Sequence, residues 1–343
     1  MQTVPLSNAV ENRHGRCCHR RTTRSGLTVI ELVVVMAVIG LLASLVGAAV
    51  MGARETARRM ECSSHLRQIG LAVQEYHSTH DRLPCSGLLG FRYIAELVDG
   101  RAGNWGVYGS PDPCMFGPCP EVGEWHRPPV YLCPSDPVVR RTRRSMSYAF
   151  SSGVSVIPGA AAGISDGIGF GDVDPAKLIS FRDVGDGLSN TACASEQLIS
   201  LAHAASSDIE YLAAFDDSLA ATHPLRYIWT FTGTYTLPAD LPGLFRECDA
   251  ATTDTMPHFA GNPYNVRMAA YDHVRTPNLR ACFNPLPSVT FLSGAIIPPT
   301  SLHRSGVNLL LCDGSVRFVS NSIDSGVWRS VGTRNGAEAP SDF

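Results

Sequence analysis

The stretch that most constrains this chain runs from Arg24 to Val50 and reads RSGLTVIELVVVMAVIGLLASLVGAAV. It contains an almost unbroken apolar run with a single carboxylate, that of Glu31. Because an α-helix needs about 20 apolar residues to cross the hydrocarbon core of a bilayer, Leu27 to Val50 is long enough to span a membrane. A charged side chain inside such a segment costs about 2.5–3.5 kcal/mol on insertion scales, so Glu31 is expected to have a specific role.

The charge is distributed unevenly along the 343 residues. Basic residues are concentrated around the apolar stretch, whereas acidic residues outnumber basic ones in the rest of the chain. This asymmetry is typical of an exported domain carried on a membrane anchor. The net charge of −3 and the 17% content of charged residues give no indication of nucleic-acid binding. A chain of 343 residues is long enough to form one large hydrophobic core or two modest ones.

Flanking charge and cysteine usage orient the predicted span. Five arginines precede it and four follow it, and these are Arg13, Arg16, Arg20, Arg21, Arg24, Arg54, Arg58, Arg59 and Arg67. By the positive-inside rule the small excess keeps the N-terminus in the cytoplasm. Nine of the eleven cysteines follow the span, as is typical of a disulfide-bonded domain in an oxidising compartment. We therefore predict a single-pass inner-membrane protein with a head in the periplasm or outside the cell.

The helix is predicted to continue beyond the membrane. Apolar residues recur at spacings of four, three, four and three, and these are Cys62, Leu66, Ile69, Val73 and Tyr76. This spacing places them on one face of an amphipathic helix, with Arg58, Glu61, Arg67 and Gln74 on the opposite face. Asp81 and Pro84 mark its end, because a proline disfavours helix at the residue before it. Half of the helix is expected to lie in lipid and half to pack on a globular body.

The start of the apolar stretch resembles the prepilin signal of type IV pilins and type II secretion pseudopilins. The resemblance lies in Arg24-Ser25-Gly26 followed by Leu27-Thr28-Val29-Ile30-Glu31-Leu32, with leucine where that family usually has phenylalanine. It implies that a prepilin peptidase cleaves after Gly26 and methylates the new amine on Leu27. It also implies that Glu31 pairs with the amine of a neighbouring subunit during assembly, which would give the intramembrane charge a partner.

Two simpler interpretations of the stretch remain open. A secretory signal peptide has an apolar run of 7–15 residues, shorter than this one, although Gly47-Ala48-Ala49 is compatible with a cleavage site. A glutamate inside the apolar region is unusual for such a peptide. The stretch is also compatible with an ordinary single-span anchor whose Glu31 lies near the cytoplasmic interface.

A second resemblance covers almost the whole length. Residues 53–84, ARETARRMECSSHLRQIGLAVQEYHSTHDRLP, are similar to a large bacterial group of pilin-like proteins bearing a domain of unknown function. The further matching segments are Tyr131 to Pro137, Ser147 to Ala149, Asp186 to Thr191, Tyr271 to Val274, Thr276 to Asn278 and His303 to Phe318. The resemblance implies an architecture, but no activity is established for that group.

The C-terminal part of this match predicts a β-hairpin. Val307 to Cys312 and Ser315 to Val319 flank Asp313-Gly314, a dipeptide typical of a two-residue turn with positive φ at both positions. This register places Leu311 opposite Val316 and Leu309 opposite Phe318. His303, just before the first strand, is either a ligand or, as is commoner for a lone histidine there, a hydrogen-bonding loop residue.

Several cysteine and carboxylate residues are candidates for disulfides or metal sites. Disulfides are expected among Cys114, Cys119, Cys133, Cys248 and Cys282, with Cys193 and Cys312 as further candidates and with a connectivity that the sequence does not define. Zinc at Cys114, Cys119, His126 and Cys133 is a less favoured alternative, because the ligand spacing is loose. Asp183 and Asp186 are weak candidates for calcium, since they lie in an oxygen-rich turn without EF-hand spacing. We predict no cofactor.

No catalytic motif stands out in the sequence. Asp272 and His273 are adjacent, but neighbours in an extended chain point in opposite directions and do not form a dyad by themselves. Phosphate-binding glycine loops and His-Glu-x-x-His are absent from the sequence. We therefore expect a protein that is not an enzyme.

These observations predict an α+β protein with a long pilin-like helix packed on a β-rich head. The predicted parts are a leader (1–26), the helix (27–80), the head (81–331) and a flexible tail (332–343). Within the head we predict strands at 148–156, 179–184, 227–234 and in the terminal hairpin, and irregular insertions at 100–130 and 236–266. The expected function is that of a pseudopilin-like structural subunit of a secretion or pilus-like system, in contact with the inner membrane, prepilin peptidase and related subunits. The alternative is a monomeric, membrane-tethered binding module.

Overall fold

The computed structural model combines a long N-terminal helix with two β-sheets and three shorter helices among the residues that it describes. These residues are 28–84, 87–100, 128–137, 146–154, 166–168, 179–198, 224–230, 241–251, 253–257, 270–283 and 295–337. The α+β class predicted from the sequence is confirmed, because a mixed five-stranded sheet accompanies the long helix.

The helices and strands follow one another in a mixed order along the chain. The helices are α1 (Val29–His80), α2 (Gly87–Asp99), α3 (Leu241–Ala250) and α4 (Ser325–Gly332). The strands are β1 (Tyr148–Ser151), β2 (Ala192–Glu196), β3 (Tyr227–Thr230), β4 (Thr253–Pro257), β5 (Ala270–Tyr271), β6 (Ala281–Phe283), β7 (Ala295–Ile296), β8 (Gly306–Leu311) and β9 (Val316–Ser320).

Helix α1 has a defined cap at each end. At its start the Thr28 hydroxyl accepts a hydrogen bond from the Glu31 amide, and the Glu31 carboxylate accepts one from the Thr28 amide. This reciprocal pair is a capping box, which satisfies amides that have no partner within the helix. At the other end Asp81 adopts a positive φ of 53° immediately after His80, in agreement with the end predicted at Asp81 and Pro84.

The chain divides into two units, residues 1–52 and 53–343, and α1 contributes to both. In the first unit the described side chains from Val29 to Met51 are exposed, and the helix is long and apolar enough to span a membrane. In the second unit α1 buries one apolar face in the core of the head. The predicted apolar stripe is confirmed, because all five of its residues are buried: Cys62, Leu66, Ile69, Val73 and Tyr76.

The five-stranded sheet lies at the centre of the second unit, in the order β5-β1-β2-β8-β9. Strands β1 and β5 are parallel, and the other neighbouring pairs are antiparallel. Strand β8 is buried along its whole length and contributes to two apolar clusters. Leu310 packs in the cluster that contains the α1 stripe, whereas Leu309 and Leu311 pack with Trp328 of α4. Burial on both faces explains why this strand is an almost continuous apolar run.

The terminal hairpin forms as predicted, but its predicted register is wrong by one residue. Leu310 pairs with Val316 and Leu309 with Arg317. The turn is longer than a two-residue turn, because the Leu311 carbonyl accepts a hydrogen bond from the Gly314 amide and the Leu311 amide donates to Ser315. Of Asp313 and Gly314, only the glycine has a positive φ, at 86°. A turn followed by a left-handed glycine is the usual three-residue alternative to the tight Asp-Gly turn.

The smaller sheet contains four strands in the order β4-β3-β6-β7. A disulfide between Cys248 and Cys282 links helix α3 to β6. The buried Arg275 guanidinium donates to both carboxylate oxygens of Asp249 on α3, at 2.8 and 2.9 Å. The prediction of an irregular insertion at 236–266 is therefore wrong, since this segment contains α3 and β4. The other predicted insertion, 100–130, lies largely outside the described residues.

Two of the predicted strands differ from the structure. The segment 179–184 forms a 3₁₀ turn at Phe181–Asp183, because Ser180 and Asp183 make a capping box that competes with strand pairing. The strand predicted at 148–156 ends at Ser151, shortly before Gly153 adopts a φ of 92°. The strand predicted at 227–234 is present from Tyr227 to Thr230, and the rest of it lies outside the described residues.

Candidate functional site

The predicted processing site lies outside the described residues, and Glu31, the carboxylate predicted to lie in the membrane, is near the N-terminal edge of the described chain. Gly26 and Leu27 are outside the described residues. The Glu31 carboxylate is in the first turn of α1, where it accepts hydrogen bonds from the Thr28 amide at 2.8 Å and from the Thr28 hydroxyl at 3.0 Å. A negative charge at this end of a helix is stabilised by the free amides and by the helix dipole. Glu31 is thus held at the beginning of the apolar segment and remains exposed.

A second candidate site is a buried histidine between two carboxylates in the head. The His303 side chain is fully buried, and its Nδ1 lies 2.9 Å from the Glu55 carboxylate. Its Nε2 lies 3.0 Å from the carboxylate of Glu196, which is 2% exposed. Glu55 belongs to α1 and Glu196 ends β2, so His303 connects the helix to the central sheet.

The buried carboxylate of Glu196 is held by further hydrogen bonds. The Asn308 backbone amide donates to one of its oxygens at 2.9 Å, and the Asn308 side-chain amide donates to the other at 2.8 Å. The Glu55 carboxylate accepts a further hydrogen bond from the Ser135 hydroxyl at 3.3 Å. Because His303, Glu196 and Glu55 each have hydrogen-bond partners in this network, it tolerates a charge that would otherwise be costly to bury.

The surroundings of His303 favour its protonated form. Desolvation by burial acts to lower the pKa of His303, but hydrogen bonds and charges from Glu196 and Glu55 outweigh it and raise the pKa. Two carboxylates on opposite ring nitrogens stabilise an imidazolium, which donates one hydrogen bond to each of them. The arrangement can therefore hold a proton between helix and sheet.

A disulfide between Cys62 and Cys133 lies directly beside this histidine. The Sγ of Cys133 is 3.8 Å from the Nε2 of His303. Cys62 comes from the buried face of α1 and Cys133 from the loop that follows the 3₁₀ turn Pro129–Tyr131. The covalent bond and the His303 network thus connect the same helix to neighbouring parts of the head.

Sequence reasoning identified only part of this cluster. His303 and Cys133 were candidates, whereas Glu55, Cys62 and Glu196 were not. From the sequence Cys62 is recognisable only as an apolar member of the helix stripe, because its partner is 71 residues away. The available signal was Glu196, a carboxylate that ends the strand ACASE, since a charge in a buried strand requires a partner.

The structure gives a pairing for several of the candidate cysteines. Cys133 pairs with Cys62, and Cys248 pairs with Cys282. Cys193 and Cys312, named as further disulfide candidates, are free and buried side by side, and that prediction is wrong for the described state. A hydrogen bond with Cys193, together with burial, raises the pKa of the Cys312 thiol. Cys114 and Cys119 lie outside the described residues.

The carboxylates of the two weak calcium candidates, Asp183 and Asp186, accept hydrogen bonds from different segments of the chain. The Asp183 carboxylate accepts a hydrogen bond from the Ser180 amide. The Asp186 carboxylate accepts hydrogen bonds from the amides of Gly336 and Ala337 and from the Thr333 hydroxyl. These bonds hold the beginning of the predicted tail.

The zinc alternative that combined Cys133 with Cys114, Cys119 and His126 cannot be placed as a set, because its other three members lie outside the described residues. The one member that the structure describes, Cys133, is bonded to Cys62.

Asp272 and His273 occupy separate buried environments, and the structure does not bring them together as a dyad. The Asp272 carboxylate accepts hydrogen bonds from the amides of Val274 and Ile297. The His273 ring stacks on Trp328 at 3.9 Å between ring centres, donates from Nδ1 to the Trp328 carbonyl and accepts from the Tyr271 hydroxyl. Burial raises the pKa of Asp272 to about 7 and lowers the pKa of His273 to about 3. His273 thus connects β5 to α4, whereas Asp272 connects the segment after β5 to Ile297, which directly follows β7.

Comparison with known proteins identifies the family of this chain. A sequence profile of the family described as protein of unknown function DUF1559 (SBP_bac_10) matches residues 51–108 and 111–326. The match covers most of the chain, which therefore belongs to this family. It begins at the end of the apolar segment and includes Glu55, Cys62, Glu196 and His303. No curated protein and no solved structure matches the chain.

Proposed function

We propose that this protein is a pseudopilin-like structural subunit, cleaved after Gly26 by a prepilin peptidase and anchored by the first part of α1. In this proposal Glu31 pairs with the new N-terminal amine on Leu27 of a neighbouring subunit. The protein then serves as a structural component of a type II secretion or type IV pilus-like assembly, and it has no catalytic role.

The observation that carries the proposal is the position of Glu31. Its carboxylate is exposed in the first turn of an apolar helix, within hydrogen-bond distance of the Thr28 amide. Cleavage after Gly26 would create a cationic amine only one residue before Thr28. A lone carboxylate in hydrocarbon requires a cationic partner, and the amines of neighbouring subunits are suitable partners at the same membrane depth.

The head supports an exported location. Two disulfides link distant parts of its chain, and disulfides of this kind persist mainly in oxidising compartments. Together with the slight excess of arginines before the span, they favour a cytoplasmic N-terminus in the inner membrane and a head in the periplasm or outside the cell.

The first test separates capping of the helix by Glu31 from pairing between subunits. Glu31→Gln keeps an acceptor for the Thr28 amide, because glutamine also completes a capping box, but it removes the charge. Glu31→Ala removes both. If the charge pairs two subunits, both variants should reduce crosslinking between subunits in the membrane by about ten-fold or more, a factor that corresponds to about 1.4 kcal/mol.

Mass spectrometry of the mature N-terminus provides the control for this experiment. The wild type and both variants should begin at Leu27, with a methyl group on its amine in the wild type. Crosslinking of Glu31→Gln at the wild-type level would contradict the pairing role of Glu31. Absence of crosslinks in the wild type itself would favour a monomeric, tethered binding module. A mature protein that begins near Val50 would instead show that the stretch is a secretory signal peptide.

A further inference from the structure

The site that the proposed function does not use is the cluster around His303. Four side chains place one potential ligand atom each within 4.8 Å of all the others: Cys62, Cys133, Glu196 and His303. All four are buried. They come from α1, from the loop after the first 3₁₀ turn, from β2 and from the segment before β8, so only the tertiary structure brings them together.

We propose that these four residues form a zinc site when the Cys62–Cys133 disulfide is reduced. Two thiolates, one imidazole nitrogen and one carboxylate oxygen are a suitable ligand set for tetrahedral zinc. The site is different from the zinc alternative based on Cys114, Cys119 and His126, and it does not depend on the proposed function.

The distances approach those of a tetrahedral zinc site once the disulfide is broken and the two sulfurs separate. At a zinc–sulfur distance of about 2.3 Å, two thiolates of a tetrahedral site lie ~3.8 Å apart, and a thiolate and a nitrogen lie ~3.6 Å apart. The Cys133 Sγ and the His303 Nε2 are already 3.8 Å apart, and the same nitrogen is 3.0 Å from the Glu196 carboxylate. After the disulfide is broken the two sulfurs must move apart, and any pair of ligand atoms near the 4.8 Å limit must come closer together.

The groups around the cluster orient its ligands as they do in known metal sites. The Glu55 carboxylate lies 2.9 Å from the Nδ1 of His303, on the side of the ring away from the cluster. A carboxylate in this position fixes the tautomer that leaves Nε2 free to bind metal. Asn308 donates two hydrogen bonds to Glu196, which hold its carboxylate toward the cluster.

Reduction of the Cys62–Cys133 disulfide followed by zinc binding is chemically balanced when a phosphine is the reductant. The phosphine transfers two electrons to the sulfur–sulfur bond, takes an oxygen atom from water and becomes a phosphine oxide, and the two sulfurs each take up one proton. Zinc binding then releases these two thiol protons, and His303 releases the proton on Nε2 when it is protonated. Nδ1 keeps its proton and donates it to Glu55. Zinc would thus restore the connection between α1 and the loop of Cys133 that reduction removes.

The test uses the full-length protein in detergent micelles, with and without phosphine treatment, and cobalt(II) followed by zinc as probes. The reduced wild type should bind one cobalt ion per chain, with the thiolate charge-transfer and visible bands of a tetrahedral site, and zinc should displace it. The oxidised protein should show neither band. Absence of thiolate bands in the reduced wild type would overturn the proposal.

Variants in the reduced state identify the ligands. Cys62→Ser and His303→Gln should each reduce the affinity for cobalt by at least about ten-fold, whereas Cys193→Ser, which removes a buried free thiol outside the cluster, should leave it unchanged. The reduced wild type and Cys62→Ser both lack the disulfide. A difference in their affinity for cobalt therefore reports the missing thiolate and not the missing bond. Equal affinity of these two proteins, or loss of binding in Cys193→Ser, would place the metal elsewhere and refute the assignment.

Discussion

Two adjacent buried residues, Asp272 and His273, each make the stability of the head depend on pH. Burial holds the pKa of His273 at about 3, so the folded protein keeps this ring neutral where the unfolded chain, with an ordinary pKa near 6.5, takes up a proton. Its contribution to stability is present above pH 6.5 and is lost as the pH falls. Asp272, with a pKa of about 7, acts in the opposite direction, since the folded state keeps the proton that the unfolded state releases.

At this scale we predict that His273→Gln makes the protein less sensitive to acid. Glutamine has both a donor and an acceptor for the partners of His273, but it does not titrate. Relative to the variant, the free energy of unfolding of the wild type should fall by about 3 kcal/mol between pH 6.5 and pH 4, at about 1.4 kcal/mol per pH unit. Chemical denaturation in micelles, followed by tryptophan fluorescence, measures this difference, because Trp328 stacks on His273.

Asp272→Asn is the matched control for this pH series. It removes the opposing titration, so relative to this variant the wild type should gain stability as the pH falls from 7 toward 4. Equal slopes for wild type, His273→Gln and Asp272→Asn would show that neither residue titrates differently in the folded and unfolded states.

At the scale of elements, the contact between α1 and the terminal hairpin depends on a glycine. A Cβ added to Gly70 would lie 2.7 Å from the Cδ1 of Leu310 and 3.3 Å from the Cα of Gly314. Leu310 is fully buried, so its side chain has little room to move away. The absence of a side chain at Gly70 therefore allows the helix to approach the hairpin closely.

We predict that Gly70→Ala destabilises the head, although alanine is the better helix former. The gain in helix propensity is about 0.8–1.0 kcal/mol, whereas overpacking of a core typically costs about 1–3 kcal/mol. A net decrease of about 1 kcal/mol in the free energy of unfolding is expected from denaturation in micelles. Gly52→Ala is the control on the same helix, since a Cβ there meets no atom within 4 Å, and it should show no decrease. Equal behaviour of the two variants would mean that the close approach at Gly70 has no energetic consequence.

At the scale of the whole molecule, the Cys62–Cys133 bond joins the amphipathic part of α1 to the head across 71 residues. A crosslink of this span restricts the unfolded chain, which in the chain-entropy description stabilises the folded protein by about 4 kcal/mol. The bond also closes one side of the buried network of His303. Folding of the head on the helix is thus linked to the redox state of the compartment.

We predict that the double variant Cys62→Ala/Cys133→Ala lowers the free energy of unfolding by about 2–5 kcal/mol under oxidising conditions. Cys193→Ala/Cys312→Ala is the matched control, because it removes two buried sulfurs that do not form a disulfide. Its effect should be clearly smaller, and denaturant titration of both proteins measures the difference. A loss of the same size in the two double variants would show that the covalent link contributes little.

The accuracy of the sequence-based predictions depended on how local each signal is. The stripe from Cys62 to Tyr76 was predicted correctly because helical periodicity is a local property of the chain. The register of the hairpin was wrong because Asp313-Gly314 is compatible with more than one turn, and packing of β8 on both faces is not visible in the turn itself. Cys62, Glu196 and His303 could not be grouped in advance, since Cys62 is bonded to a cysteine 71 residues away and Glu196 lies 107 residues from His303 in the sequence.

The sequence by itself determined the long apolar and amphipathic helix, its end near Asp81, the α+β class and the place of a single carboxylate, that of Glu31, in the apolar run. These follow from composition and from periodicities within a few turns of chain, which require no knowledge of distant contacts. Only the tertiary structure decided the pairing of Cys62 with Cys133 and the position of His303 between Glu55 and Glu196. The physical reason is that a buried charge or a thiol acquires its partner, and with it its chemistry, when the sheet and the helix pack together.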